Sequence, residues 1–330
     1  MALNLSFACP PYDRIFPLIY ERVVPKGIRL NYLPMDVEEI FWRQLRNQEF
    51  DMSESSFSSY VMLRSRGDDR FIAIPVFTSR VFRHSNIIIN THKGIKTPED
   101  LKGKIVGLPE YQITAVVWLR GILQDEYGVF PRDVHWRSGG QETPGRKEKI
   151  KLKLPPDIDL QPIPEGKNLS QMLDDGELDA MISAREPLCF VNGSPNVAQI
   201  FENPRQVEED YYRKTRIFPI MHTVILKRSI YERNPWIAVN LYKAFCEAKD
   251  LVLYNYSHKE ALFLTLPWYH DVIKRTRELI DEDWWPYGVG KNRHTLETFL
   301  RYHHEQGLSE RLMTVEDLFA PETLDEEFKI

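Results

Sequence analysis

The stretch EGKNLSQMLDDGELDAMISA, at residues 165–184, repeats a pattern that occurs earlier in the chain as EEIFWRQLRNQEFDMSESS, at residues 38–56. Each copy begins as a short helix, continues with Leu-x-x-x-Glu-(Phe/Leu)-Asp, and ends as an apolar strand followed by small or polar residues. Another predicted strand precedes each copy, GIRLNYLPM in the first and IDLQPIP in the second. Helices that alternate with strands indicate parallel sheets. Two copies so far apart in the chain predict two similar α/β lobes.

Apolar runs indicate where the chain passes between these lobes. FIAIPVF at residues 71–77 and NIIIN at residues 86–90 have the composition of buried strands. We predict a first lobe at residues 1–85 and 196–330, which includes the C-terminal helices, and a second lobe at residues 86–195. Crossover segments around residues 78–85 and 197–223 would connect the lobes and act as hinges.

The ligand site is predicted to lie in the cleft between the lobes. In parallel α/β sheets, ligands bind beyond the carboxyl ends of the strands. The loops that should surround such a cleft lie at residues 9–14, 53–59, 79–84, 109–114 and 183–186. Polar side chains in these loops are therefore the first candidates for a functional site.

The composition excludes several classes of protein. The formal net charge of -5, from 43 basic and 48 acidic residues, argues against broad nucleic-acid binding. The start MALNLSFACPPYDR lacks the features of a signal peptide, and no apolar run reaches membrane-spanning length. Cys9, Cys189 and Cys246 are odd in number and widely spaced, which predicts a reducing compartment without a disulfide framework. We expect a cytoplasmic protein with no nucleic-acid or membrane partner, and a homo-oligomer stays an open alternative.

Three potential cations stand between the two apolar runs, in TSRVFRHSN at residues 78–86. If this segment is extended, Arg80 and His84 share one face and Arg83 takes the other, because side chains alternate along a strand. A guanidinium matches a carboxylate with two parallel hydrogen bonds. The segment therefore predicts an anion site. The structural alternative is that one of the arginines ties the lobes together.

The loop at residues 109–114 joins a strand to the start of a helix, where backbone N–H groups attract anions. Thr114 could cap this helix or contact a ligand, and capping is the favoured role. Glu110 is unexpected in an anion pocket. It is a candidate proton carrier, with a favourable interaction near the helix dipole as the alternative.

Other candidates come from the remaining loops. Tyr12 and Arg14 lie in the first strand–helix loop, and Arg185 follows the strand of the second repeat copy, across the predicted cleft. In the first repeat copy, the position equivalent to that of Arg185 is occupied by Glu54, Ser55 and Ser56. His222, in IFPIMHTVIL, lies on the second crossover segment, where the alternative is a core histidine.

Generic motifs for nucleotide or zinc binding are absent, since the chain has no GxGxxG, Walker or HExxH sequence. However, LKGKIVGLPEYQITAVVWLRGIL and MLDDGELDAMIS, with the order of lobe, hinge and lobe, resemble the type II periplasmic-binding-protein fold. More narrowly, SRVFRHS, TRIFPIMHT, DWWPYGVGKNR and EQGL resemble the 4,5-dihydroxyphthalate decarboxylase family. The resemblance covers nearly the whole chain. It implies an α/β enzyme that converts 4,5-dihydroxyphthalate to 3,4-dihydroxybenzoate and CO2.

Such a reaction assigns roles to the candidates. An aromatic dicarboxylate needs a clamp for the carboxylate that stays, an acid near the ring carbon, and a group at the phenolic proton. We expect Arg80 and Arg185 in the clamp, His84 or Glu110 at the carbon, and His222 at the hydroxyl. No electron-sink cofactor is needed, because a hydroxyl para to the carboxylate donates electrons into the ring.

Two alternatives stay open. The chain could be a non-catalytic binding protein for small aromatic acids, either a sensor or a transport component. Alternatively, His84, His222 and Glu54 could bind a divalent metal that polarises the catechol oxygens, although their sequence spacing does not require it.

Overall fold

The computed structural model describes residues 2–258, 260 and 262–324. Its strands are β1 (Leu3–Ala8), β2 (Ile28–Leu33), β3 (Met52–Ser56), β4 (Phe71–Arg80), β5 (Ile87–Asn90), β6 (Ile105–Leu108), β7 (His135–Ser138), β8 (Leu160–Pro162), β9 (Ala180–Ile182), β10 (Val197–Gln199) and β11 (Ile220–Lys227).

Helices cover the strands and form the C-terminal part of the described chain. They are α1 (Phe16–Ile19), α2 (Val37–Asn47), α3 (Phe57–Ser65), α4 (Thr114–Tyr127), α5 (Leu169–Asp174), α6 (Leu188–Val191), α7 (Pro204–Thr215), α8 (Arg228–Arg233), α9 (Trp236–Tyr256), α10 (Tyr269–Leu279) and α11 (Arg293–Glu305). Short 3-10 helices lie at Asp13–Ile15, His84–Asn86, Pro98–Leu101, Pro131–Asp133, Gly290–Asn292 and Pro321–Thr323.

The strands of the described residues form two sheets, one for each repeat copy. The first has the order β2-β1-β3-β11-β4, and the second has the order β10-β5-β9-β6-β7-β8. In each sheet, the strand at the end of a repeat copy, β3 or β9, pairs in parallel with one neighbour and antiparallel with the other. The internal repeat therefore corresponds to two sheets with a similar centre.

The sheets are mixed, which differs from the parallel sheets expected from the sequence. The strands that run against their neighbours are β11 in the first sheet and β5 in the second. Each follows a passage of the chain between the lobes. A strand that enters a sheet from the cleft must run away from the cleft, whereas the strands before α3 and α4 end at it.

The chain leaves the first sheet at Arg80, enters the second at Ile87 and returns at Ile220. The last strand of the second sheet ends at Gln199, which is later than the predicted boundary at residues 195–196. These positions are the ends of strands, and the exact domain boundaries stay a prediction. Among the described residues, no helix is both long and apolar enough to cross a bilayer.

Candidate active site

A cavity of about 170 Å³ lies where the two sheets meet. We call it the inner cavity, and it is lined by Val37, Glu38, Phe41, Ser56, Ser59, Arg83, Glu110, Gln112, Ile113, Thr114, Ala115, Lys149, Ala184, Arg185, Met221 and His222. All but the first of the five predicted cleft loops contribute to this lining. Cavities of about 150 Å³ can hold a benzene ring, so the inner cavity has room for one aromatic ring.

A larger opening of about 880 Å³ adjoins the inner cavity. We call it the outer cleft, and it is lined by Glu38, Glu39, Trp42, Arg46, Pro109, Glu110, Ile113, Gly140, Gln141, Glu142, Thr143, Pro144, Gly145, Arg146, Lys147, Glu148, Lys149, Ser183, Ala184 and Arg185. The two spaces share Glu38, Glu110, Ile113, Lys149, Ala184 and Arg185. The two spaces therefore lie side by side at these residues.

A histidine–carboxylate pair lies at the wall of the inner cavity. His222 Nδ1 is 2.7 Å from Oε1 of Glu54, which is completely buried. His222 lies opposite Ser56 on the neighbouring strand, and the pairing of β11 with β4 is irregular on both sides of it. Such irregularities commonly redirect a side chain beside a functional site. Nε2 of His222 has no hydrogen-bond partner among the described residues and is available to a ligand.

Further donors fix the Glu54 carboxylate. Thr78 Oγ1 donates to Oε1 of Glu54 at 2.9 Å, and Tyr12 Oη donates to the same oxygen at 3.2 Å. Burial and the neighbouring Glu54 raise the pKa of Tyr12 well above its usual range, so the phenol keeps its proton. Tyr12 was predicted to bind substrate, but it does not line the inner cavity and instead holds Glu54 in place.

Two arginines contribute positive charge to the inner cavity. Arg83 donates from Nη1 to the carbonyl oxygen of Ala184 at 2.9 Å, and thereby joins the two lobes. Burial lowers its pKa to about 10, which still leaves a cation at neutral pH. The exposed guanidinium of Arg185 has no hydrogen-bond acceptor among the described residues, so it is available to a ligand.

Glu110 lies in a network of four charged side chains. Its Oε1 is 2.6 Å from Arg146 Nη2 and 2.7 Å from Lys149 Nζ. The same two cations reach Oε2 of Glu38, on the other lobe, at 3.0 and 2.9 Å. Burial opposes ionisation of Glu38, but Lys149 and Arg146 outweigh it and lower its pKa. Glu110 is therefore an ion-paired carboxylate that helps to close the cleft, which argues against the proton carrier predicted from the sequence.

Thr114 joins the lobes through its hydroxyl. Its Oγ1 lies 3.0 Å from Ser56 Oγ and accepts a hydrogen bond from the backbone N–H of Ser58 at 3.1 Å. The prediction that Thr114 caps its own helix is wrong, because it occupies the first helical position and its hydroxyl is used across the cleft. Both α3 and α4 begin at the inner cavity. The first N–H groups of a helix have no intrahelical acceptor and attract anions.

His84 does not reach the inner cavity. Its ring is almost completely buried against Phe201 and Tyr211, and its Nδ1 lies 3.9 Å from Glu208 Oε1, too far for a hydrogen bond. Burial lowers the pKa of His84 to about 4, so the ring is neutral at physiological pH. The structure therefore contradicts a catalytic role for His84.

Arg80 also points away from the inner cavity. Its guanidinium donates to the carbonyl oxygens of Phe218 and Pro286 at 3.0 and 2.8 Å, and to the side chain of Asn292. These contacts tie β4 to the C-terminal segment. The assignment of Arg80 to the substrate clamp is therefore wrong, and the arginine that ties the lobes together is Arg83.

Arg14 and Ser55 are likewise outside the lining of the inner cavity. Arg14 donates from Nε to the carbonyl oxygen of Thr78 at 2.9 Å, and its guanidinium lies over the rings of Tyr12 and Trp285. Ser55 is buried within its sheet. Neither residue supports the predicted contact with substrate, whereas the neighbouring Ser56 does line the cavity.

The metal ligands suggested by the sequence are not brought together. Glu54 and His222 are in contact, but His84 lies in the separate environment of Phe201 and Glu208. In the described part of the chain, no group of three or more His, Cys, Asp and Glu side chains has an arrangement that could hold a metal ion.

Several lining residues were not found from the sequence. Arg146 and Lys149 belong to the segment at residues 137–157, which in the sequence is a polar stretch without a helix or strand pattern. Glu38 is the first residue of the first repeat copy. The available signal was the basic run RKEKIKLK at residues 146–153. Its ion pairs with Glu38 span more than a hundred residues, so local sequence patterns do not show them.

Two buried histidines, His84 and His303, should make the free energy of unfolding depend on pH. Burial lowers the pKa of His84 to about 4 and that of His303 to about 3, from an ordinary value of 6.5. Between about pH 6.5 and 4, the unfolded chain binds more protons, so the free energy of unfolding falls as the pH falls. Urea unfolding at pH 7 and pH 5 should show a smaller fall for His84→Gln than for the parent. An equal fall in both proteins would mean that the ring of His84 is accessible to solvent.

Comparison with known proteins gives two close relatives, although no family model matches the chain. A protein of Comamonas testosteroni named 4,5-dihydroxyphthalate decarboxylase is 43% identical over 328 residues, which cover 99% of each chain. A Pseudomonas putida protein of the same name is 46% identical over 211 residues, which are 64% of this chain and 82% of that protein.

Solved structures show the fold. The periplasmic aliphatic sulphonate binding protein of Escherichia coli superposes with a TM-score of 0.55 at 11% identity, over 98% of this chain and 99% of that one. The alkanesulfonate-binding protein of Xanthomonas axonopodis gives a TM-score of 0.50 at 10% identity, over 96% and 97% of the chains. The predicted periplasmic-binding-protein-like fold is thereby confirmed.

Proposed function

The chain belongs to the family of the 4,5-dihydroxyphthalate decarboxylases, and we propose that it removes one carboxyl group of 4,5-dihydroxyphthalate as CO2 without oxidation. In this reaction it acts as a carboxy-lyase, and the other product is 3,4-dihydroxybenzoate. The observation that carries the proposal is the contact between His222 and the buried Glu54 at the wall of a cavity with room for one aromatic ring.

The charges around the inner cavity suit an aromatic dicarboxylate. Arg83 and Arg185 can each donate to a carboxylate, and guanidinium groups match carboxylates in geometry as well as charge. The N-termini of α3 and α4 add positive potential at the same cavity. We therefore place the two carboxylates of the substrate towards Arg83, Arg185 and the helix starts, and its hydroxyls towards His222.

His222 then acts as the general base for the phenolic proton. The ring donates its Nδ1–H to Glu54, which leaves Nε2 as the acceptor, and the Glu54 carboxylate stabilises the imidazolium that forms. Deprotonation increases the electron density at the ring carbon para to the oxygen. That carbon gains a proton, the bond to its carboxylate breaks, and its electron pair stays with the ring. CO2 leaves without an external oxidant or reductant, and His222 returns the phenolic proton.

We assign water in the outer cleft as the donor of the proton that the ring carbon gains. The two carboxylates beside the opening, Glu38 and Glu110, are both paired with Arg146 and Lys149 and are poor donors in that state. The closed network also limits access of bulk solvent, which strengthens electrostatic interactions with the substrate. No electron-sink cofactor is required by this scheme, since the para oxygen supplies the electrons.

Incubation with 4,5-dihydroxyphthalate tests the proposal. We expect stoichiometric release of CO2 and 3,4-dihydroxybenzoate, and we expect turnover to survive dialysis against a metal chelator. Phthalate, which lacks the hydroxyls, should bind as a competitive inhibitor without reacting. Saturable binding of 4,5-dihydroxyphthalate without CO2 release would instead support a binding protein, and loss of activity on chelation would support a metal.

The compartment is a further part of the proposal. Cys9, Cys189 and Cys246 are all unbridged in the structure, as expected for a protein of a reducing compartment. We propose a cytoplasmic enzyme, which cell fractionation would test.

A further inference from the structure

The outer cleft is far larger than one aromatic substrate requires. It has a volume of about 880 Å³, against about 170 Å³ for the inner cavity. One wall is formed by Glu38, Glu39, Trp42 and Arg46, which lie along one face of α2 because residues three or four apart on a helix are neighbours. The other wall is formed by residues 140–149 and 183–185.

Three basic side chains of this cleft have no ion-pair partner among the described residues, although the chain as a whole is negative. Arg46, Lys147 and Arg185 line it, and none of them has a carboxylate within ion-pair distance among the described residues. Arg146 and Lys149 are balanced by Glu38 and Glu110.

The remaining acidic side chains in the cleft offset these three cations in part. Glu39 lies 2.7 Å from Arg43, a residue outside the cleft that also pairs with Glu49, so one cation is shared by two carboxylates. Burial raises the pKa of Glu148 to about 7, so it is only partly ionised at neutral pH. Glu142 is the remaining carboxylate, and it accepts hydrogen bonds from Gln141 and the backbone of Leu188. Arg46, Lys147 and Arg185 are therefore the cations with which an anion entering the cleft can pair.

An aromatic surface lies beside this charge. The guanidinium of Arg46 is stacked on the indole of Trp42, with its Cζ 3.6 Å from the ring centroid. Trp42 is 45% exposed and lines the outer cleft, so part of its indole surface is accessible to a ligand. The pair offers a planar aromatic surface and, beside it, hydrogen-bond donors for a carboxylate.

We propose that Trp42 and Arg46 form a second binding site, which holds an aromatic dicarboxylate in the outer cleft before it enters the inner cavity. The ring of the ligand packs against the indole, and its carboxylates face Arg46 and Lys147. The identity of the ligand as an aromatic dicarboxylate rests on the proposed function. The site would raise the local concentration of substrate and increase the rate of association.

Calorimetric titration with phthalate tests the site without any need for turnover. We expect two binding events per chain in the parent protein, the weaker of which belongs to the outer cleft. Arg46→Gln and Trp42→Leu should each weaken that event by about tenfold, as expected for loss of one charged or aromatic contact. Arg132→Gln is the matched control, because Arg132 is also stacked on an aromatic ring, that of Phe130, but lies outside the cleft, and this variant should keep both events.

The shape of the ligand separates stacking from charge attraction. Cyclohexane-1,2-dicarboxylate carries the same charges without a flat ring, so it should bind the outer site more weakly than phthalate and should be insensitive to Trp42→Leu. A single binding event in the parent protein would overturn the proposal, as would equal losses in Arg46→Gln and Arg132→Gln. If two phthalate events are present but no hydroxyphthalate is decarboxylated, the proposed function fails and the outer site stands.

Discussion

His222→Gln is expected to lower kcat by about a hundredfold or more, the usual range for loss of a general acid or base. Glutamine can still donate an amide N–H to Glu54, so the buried carboxylate keeps a partner and the strand should keep its place. It cannot accept and release a proton near neutral pH. The dissociation constant of phthalate should change little, because the carboxylates are placed towards Arg83 and Arg185. Steady-state kinetics and phthalate binding on the same preparation would separate the two effects.

His84→Gln is the matched control for this experiment. The sequence predicted both histidines as catalytic, but the structure leaves His84 in a core with Phe201 and Tyr211. Its replacement should lower the melting temperature while kcat, corrected for the folded fraction, stays close to the parent value. Normal turnover in His222→Gln would remove the general base from the mechanism. A selective loss of turnover in His84→Gln would show that the fold around residue 84 differs from the one described.

Glu54→Gln extends the same test to the buried partner. The carboxylate orients the His222 ring and stabilises its protonated form, whereas an amide provides orientation without charge. We therefore expect kcat to fall and the pH dependence of kcat to change. Unaltered kinetics would show that Glu54 only packs against the histidine.

Arg80→Ala is expected to lower the free energy of unfolding by about 3 kcal/mol, since it breaks a buried charged hydrogen-bond network. Its removal leaves the carbonyl oxygens of Phe218 and Pro286 and the amide of Asn292 without their donor. Burial lowers the pKa of Arg80 to about 9, but the side chain remains charged at neutral pH. KM should change little because Arg80 does not line the inner cavity. Urea unfolding and steady-state kinetics measure both quantities.

Arg185→Gln should change KM rather than stability, the reverse of the result expected for Arg80→Ala. Its guanidinium is exposed and has no acceptor in the described part of the chain, so its loss should leave stability nearly unchanged. KM should rise by about tenfold or more, as expected when a charged hydrogen bond to a carboxylate is lost.

If Arg80→Ala proves too unstable to purify, Arg80→Lys is the alternative variant, because it keeps the charge without the planar fork. Its free energy of unfolding should lie between those of the parent and of Arg80→Ala. An increased KM with parental stability in either Arg80 variant would return Arg80 to the site.

The residues that were correctly predicted to meet at the cavity share a local signature. Ser56 ends β3, Thr114 begins the helix after β6, and Arg185 lies in the loop after β9. His222 lies near the start of β11, which enters from the cleft. Strand and turn patterns depend on neighbouring residues, so they are visible in the sequence. The position of these loops at one edge of the sheets then follows from the α/β architecture.

The network of Glu38, Glu110, Arg146 and Lys149 has no such signature. Arg146 and Lys149 lie in a long irregular segment between β7 and β8, without a repeating pattern to indicate which side chains point inward. Their positions are fixed by ion pairs with carboxylates on both lobes. A local pattern cannot reveal partners that are distant in the chain.

The sequence by itself determined the two lobes, because the repeated alternation of helix and strand is a local property of the chain. It predicted an extended segment with Arg80 and His84 on one face and Arg83 on the other, whereas the strand ends at Arg80 and His84 begins a 3-10 helix. Only the tertiary structure decided which of these three side chains lines the cavity. Arg80 is held by the segment around Pro286 and Asn292, and His84 by Phe201 and Tyr211, while Arg83 meets Ala184 of the other lobe. An alternating pattern defines two faces, but what packs against each face depends on residues a hundred or more positions away.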